Sequence, residues 1–194
     1  MKIIPSILAI LFLLSAGQVT GSAQNVTTDT VEPLLVSKAL QDEDCRHWVD
    51  SVMNKLSFKE KVGQLFIYTI APIDTKRNLE LLREAVDTYK VGGLLFSGGK
   101  MQTQVALTNR AQKLAKVPVM ITFDGEWGLA MRLRGTPVFP RNMILGCIRD
   151  NQLIYEYGRE VARQCRQIGV QVNFAPVADV NINPKNPVIN TRSF

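Results

Sequence analysis

Short, unbroken apolar runs alternate along this chain with longer stretches in which apolar residues return every third or fourth position. The first pattern fits a strand covered on both faces; the second fits an amphipathic helix. Leu65–Ile70, Gly92–Phe96, Val117–Phe123 and Val170–Val177 are of the strand type. Helices are predicted over Ala39–Leu56 (stripe Trp48, Val49, Val52, Met53, Leu56), Asn78–Tyr89 (Leu79, Leu82, Val86, Tyr89), Gln102–Lys116 and Asn151–Ile168 (Ile154, Tyr157, Val161, Cys165, Ile168). Ser57-Phe58-Lys59-Glu60 has the spacing of a capping box and predicts a short helix through Gln64. The order strand, helix, strand, helix, strand, long loop, helix, strand predicts an α/β fold: a parallel sheet with helices outside it.

The N-terminus follows another pattern. Lys2 is the only charge before Asp29, and an apolar run from Ile3 to Ala16 leads to the small residues Gly21-Ser22-Ala23. A spanning helix needs about 20 apolar residues, more than this run supplies. Residues 1–23 are therefore predicted to be a cleavable signal peptide and 24–37 a linker, which sends the chain to the periplasm or the medium without stable membrane insertion. Asn25-Val26-Thr27 fits a glycosylation triplet.

Composition narrows the remaining choices. The chain has 194 residues, 46% hydrophobic, and a net charge of +6. That rules out intrinsic disorder. The basic residues alternate with acids (Lys59-Glu60-Lys61, Arg83-Glu84), as on a solvated surface, so a nucleic-acid partner is not expected. The single histidine, His47, sits on the first helix, so neither a Ser-His-Asp triad nor a histidine-rich metal site is encoded. Cys45, Cys147 and Cys165 lack metal-ligand spacing and are expected as three small buried thiols, although an exported chain could form one bridge. No metal and no cofactor is expected. Ser97-Gly98-Gly99-Lys100 lacks the four-residue spacer of a phosphate loop and the Ser or Thr after its Lys.

Ligands of parallel α/β proteins meet the carboxyl ends of the strands. The third strand ends at Asp124, followed by Gly125-Glu126-Trp127-Gly128 and then Arg132. A carboxylate abutting an apolar strand is costly unless it is paired or reaches water. An acid, an aromatic face and an arginine so close together suit a sugar, whose hydroxyls take hydrogen bonds and whose C–H faces pack on rings. They equally suit a loop in which Asp124 forms a buried ion pair with Arg132. Residues 190–194, Asn-Thr-Arg-Ser-Phe, end the loop after the fourth strand.

Taken in order, Val119 through Leu133 resembles the strand-and-loop motif of the glycoside hydrolase family 3 N-terminal domain, nearest its bacterial β-N-acetylhexosaminidases. Gly169 through Asp179, with Asn173-Phe174-Ala175-Pro176-Val177, resembles the family's next motif, and Arg192-Ser193-Phe194 the start of the one after. Leu56–Gln64 and Gly92–Phe96 also fit, so the similarity covers roughly Trp48 to Phe194.

The resemblance implies a (β/α)8 TIM-type barrel of which only about the first half is present, over residues 38–194, in an enzyme that removes terminal β-linked N-acetylhexosamine from a carbohydrate. It implies that Asp124 holds sugar hydroxyls and that Arg132 and Arg192 line the same pocket. Glu126 falls on a family acid without a catalytic role assigned. Trp127 and Leu129 depart from the commoner Gly and Arg. The family's nucleophilic Asp and its acid/base His–Asp pair match positions after Phe194, and His47 precedes the barrel. The expectation is an incomplete, inactive fragment, with a non-catalytic periplasmic sugar-binding α/β module as the alternative.

Overall fold

The computed structural model describes residues 41–194; the signal peptide predicted for 1–23, the linker at 24–37 and Asn25 lie outside the described residues. The chain separates into two compact units, one ending at Lys61 and one spanning Val62–Phe194.

The first unit holds helix α1 (Glu43–Lys55) and the opening turn of α2 (Phe58–Gly63). Asp42 caps α1 by accepting from the Cys45 amide at 3.3 Å, and Glu43 and Asp44 sit at its positive end. The capping box is made as read: the Ser57 amide donates to Glu60 Oε2 at 2.8 Å, and the Glu60 amide donates to Ser57 Oγ at 3.3 Å. His47 is exposed and stands 3.9 Å from Glu43.

The second unit is built on a parallel sheet in the order β1 (Ile67–Ile70), β2 (Gly93–Phe96), β4 (Met120–Phe123), β6 (Val172–Asn173). Its register pairs Thr69 with Leu95, Leu94 with Ile121, and Thr122 with Val172. Helices α3 (Lys76–Arg83), α4 (Met101–Leu114) and α6 (Asn151–Gln167) follow β1, the segment after β2 and the long loop after β4. Leu82, Leu94, Phe96, Ile121 and Phe123 lie fully buried in one core with Leu107, Val161, Cys165 and Ile168. Each such large side chain contributes about 1.5–3 kcal/mol by leaving water. Among the described residues, no helix is long and apolar enough to cross a membrane.

Several expectations are corrected. The run Val117–Phe123 pairs only from Met120 on, because the Val119 amide and carbonyl bond the Gln112 side chain (3.1 and 2.7 Å) instead of a neighbouring strand. The run Val170–Val177 narrows to Val172–Asn173; Gln171 turns its side chain to the Ile121 amide at 2.7 Å, and Pro176 has no N–H to donate. The helix expected to Tyr89 widens into a π-helical turn at Glu84–Thr88, which leaves Tyr89 exposed. None of the cysteines is bridged, and only Cys165 is buried; Cys45 is half-buried and Cys147, just past α5 (Asn142–Leu145), is exposed. A second, two-stranded parallel sheet pairs β3 (Gly99–Lys100) with β5 (Leu133–Arg134).

Candidate functional site

The buried strand β4 delivers Asp124 to its carboxyl end, where the next residues reverse direction. Gly128 sits at φ +86°, and a Cβ there would come within 2.8 Å of the Phe139 ring. Its amide donates to the Gly125 carbonyl at 3.0 Å, and a 3-10 turn at Leu129–Met131 brings Arg132 back to the strand end. Arg132 Nε donates to the Asp124 carbonyl at 3.2 Å, and Arg132 Nη2 pairs with Asp124 Oδ2. The expected ion pair therefore exists, but it is not buried: 34% of the Arg132 side chain and 32% of the Asp124 side chain remain open to solvent. Both groups are held and both are reachable.

Glu126 takes the opposite position. Its side chain is 4% exposed and pairs with Arg192, 66 residues further on. Arg192 Nη2 donates to Glu126 Oε1 at 2.6 Å, and Nε to Oε2 at 2.9 Å. Arg192 Nη1 donates to the Val188 carbonyl at 3.2 Å. These bonds to Glu126 push the Arg192 pKa up further; burial opposes the rise, and the Glu126, Asp124 and Asp179 charges add to it. Asp124, whose carboxylate pairs with Arg132, thus also acts through its charge on Arg192.

The loop is fastened from behind. The Tyr157 hydroxyl on α6 donates to the Glu126 carbonyl at 3.2 Å, and the Tyr157 ring meets Phe139 edge-on at 5.0 Å. Burial raises the Tyr157 pKa, which favours the neutral donor. Arg141 lies 5.0 Å over the Trp127 ring while its Nη1 donates to Thr191 Oγ1 at 2.8 Å. Asn142, 1% exposed, donates to the Arg192 carbonyl at 2.7 Å.

A cavity of about 470 Å³ opens beside this loop, lined by Glu126, Tyr157, Cys165, Asn173, Pro176 and Phe194. Asp124, Arg132 and Arg192 do not line it. Among the described residues, no cluster of three or more His, Cys, Asp or Glu side chains could hold a metal ion.

In the sequence Glu126 stands out without a role, Asn173 enters only as part of a motif, and Asn142 does not stand out at all. An acid bracketed by Gly125 and Gly128 was the available signal for Glu126. The asparagines carry no local pattern, because their partners are distant backbone groups.

Residues 57–194 match the model of the glycosyl hydrolase family 3 N-terminal domain. The chain belongs to this family. It is 36% identical over 126 residues to the β-hexosaminidase A of Pseudoalteromonas piscicida, a match covering 58% of this chain and 21% of that protein. It is 28% identical over 156 residues to a β-N-acetylglucosaminidase/β-glucosidase of Cellulomonas fimi, covering 79% of this chain and 26% of the relative. Among solved structures, a family 3 β-N-acetylglucosaminidase from Paenibacillus sp. str. FPU-7 superposes with a TM-score of 0.63 at 33% identity, over 71% of this chain and 27% of that one. The chain thus spans about a quarter of the length of these family 3 relatives.

Proposed function

We propose that this chain supplies the first half of a (β/α)8 barrel in an exported glycoside hydrolase that removes terminal β-linked N-acetylhexosamine. The half-barrel reading is supported by the open sheet. Among the described residues, β1 and β6 each have one neighbour, and Leu65 and Phe66 before β1 and Phe174 after β6 stand exposed. Parallel strands are ordinarily covered at both faces and edges. The sugar reading rests on Asp124, whose carboxylate is fixed by Arg132 yet one-third open at the end of β4. An ionised carboxylate accepts from sugar hydroxyls, and guanidinium groups donate to them. Arg132 and Arg192 are the proposed donors. The choice of N-acetylhexosamine over glucose rests on the names carried by the more identical relatives.

Retaining glycosidases need two carboxyl groups about 5–5.5 Å apart, or an equivalent nucleophile and acid/base. Asp124 and Glu126 do not serve, since each is engaged by an arginine. The reacting groups belong to other parts of the full-length enzyme, and this chain binds the sugar without cleaving it. Incubation of the chain with 4-nitrophenyl N-acetyl-β-D-glucosaminide is the test: no release of nitrophenol is expected. Turnover that Asp124→Ala abolishes would overturn the assignment. A chain that binds N-acetylglucosamine and gains no activity when joined to any continuing barrel would favour the sugar-binding module instead.

A further inference from the structure

Arg192 has five N–H donors in a rigid fork. One edge of that fork, Nε and Nη2, is taken by the Glu126 carboxylate at 2.6–3.2 Å, and one Nη1 hydrogen goes to the Val188 carbonyl at 3.2 Å. One hydrogen on each Nη remains outside these bonds. The two partners differ in exposure: 4% of the Glu126 side chain is open, against 32% of Arg192. A buried carboxylate thus grips one edge of a guanidinium that is itself one-third open, and the Asp124 and Asp179 charges act on the same guanidinium.

Glu126 is itself fixed. Its carbonyl accepts from the Tyr157 hydroxyl at 3.2 Å, and its amide lies 3.3 Å from Met131 Sδ. The next residue in the chain before it, Gly125, bonds the Asn173 side chain through both its amide and its carbonyl. The Arg192 carbonyl is held in turn by Asn142. A planar two-point grip sets both the position and the plane of the guanidinium, which a single contact would leave free to rotate.

We infer that Glu126 is a positioning residue, aiming the remaining N–H donors of Arg192 at the sugar bound on Asp124. This rests on the sugar reading proposed above and adds to it a specific role for a buried acid that does not touch the ligand.

The test is titration of the chain with N-acetylglucosamine, followed by NMR, with the Arg192 Nε–H resonance as a second readout. Glu126→Gln keeps the shape but loses the charge and one acceptor. It is expected to weaken sugar binding roughly tenfold and to shift or erase the Nε–H signal, while the dispersed backbone spectrum persists. Arg192→Lys, which keeps the charge without the fork, is expected to lose as much. The double variant is expected to be no worse than either single, because the two changes remove one device.

If Glu126→Gln binds sugar like the parent while Asp124→Ala does not, the positioning role is overturned and the sugar reading survives. If Asp124→Ala also binds normally, or the parent takes no sugar, both fall. Where Glu126→Gln fails to fold, Glu126→Asp, which keeps the charge but shortens the reach of the two-point grip, takes its place: weaker sugar binding with an altered Arg192 Nε–H signal supports the role, and parent-like binding overturns it.

Discussion

The side chain of Asn173 bonds the backbone of Gly125 on both sides: Oδ1 accepts from the Gly125 amide at 2.9 Å, and Nδ2 donates to the Gly125 carbonyl at 3.2 Å. An amide side chain at the end of β6 thus mimics a neighbouring strand for the residue just after Asp124. Asn173→Ala leaves both groups of Gly125 without that partner, at a cost of about 1–3 kcal/mol. Faster hydrogen exchange at the Gly125 amide is expected, with the β1 and β2 amides unaffected. Unchanged protection at Gly125 would mean the clamp contributes nothing.

Gly128 is the second point at which the loop depends on one residue. Its φ of +86° is open to glycine and strained for other residues, and an added methyl group meets the Phe139 ring at 2.8 Å. Gly128→Ala is expected to destabilise the unit by about 1–3 kcal/mol, read as a lower urea midpoint. A midpoint equal to the parent's would show that the loop relaxes at no cost.

The three thiols differ in a way that a reagent can rank. Cys147 is exposed and Cys165 is buried, with burial raising the Cys165 thiol pKa and Arg166 partly offsetting it. Since the thiolate is the reactive form, iodoacetamide at neutral pH is expected to label Cys147 first and Cys165 last, by peptide mass spectrometry. Early labelling of Cys165 would contradict the packing of α6.

On the outer face of α6, Glu160 accepts two bonds from Arg163, both at 2.6 Å, and one from Gln164 at 2.9 Å. The Arg163 and Gln164 bonds hold the Glu160 pKa down at about 2, against an ordinary 4.5. The folded value is the depressed one, so the pair's contribution is present above pH 4.5 and is lost as pH falls toward 2. A carboxyl resonance titrating near 2, and returning toward 4.5 in Arg163→Ala, is expected. The effect on overall stability is small, because the pair is solvated.

The parallel sheet and its helices were legible because short unbroken apolar runs alternate with amphipathic stretches: Phe96, Ile121 and Phe123 announce themselves by pattern. The capping box at Ser57 was equally local. Strand ends were not, since they depend on Gln112 and Gln171, polar side chains that satisfy backbone groups a strand partner would otherwise take. The two-residue strands β3 and β5 are too short to carry a period. Asp124 and Arg132 were readable as neighbours eight positions apart, but the grip of Glu126 on Arg192 spans 66 residues, and no local spacing encodes it.

The central claim is that Asp124, Arg132 and Arg192 form one side of a sugar pocket. Chemical-shift mapping of the chain during titration with N-acetylglucosamine tests it most directly. The shifts are expected to centre on these three residues and to vanish in Asp124→Ala. Shifts confined to another surface, or a response that survives that substitution, would contradict it.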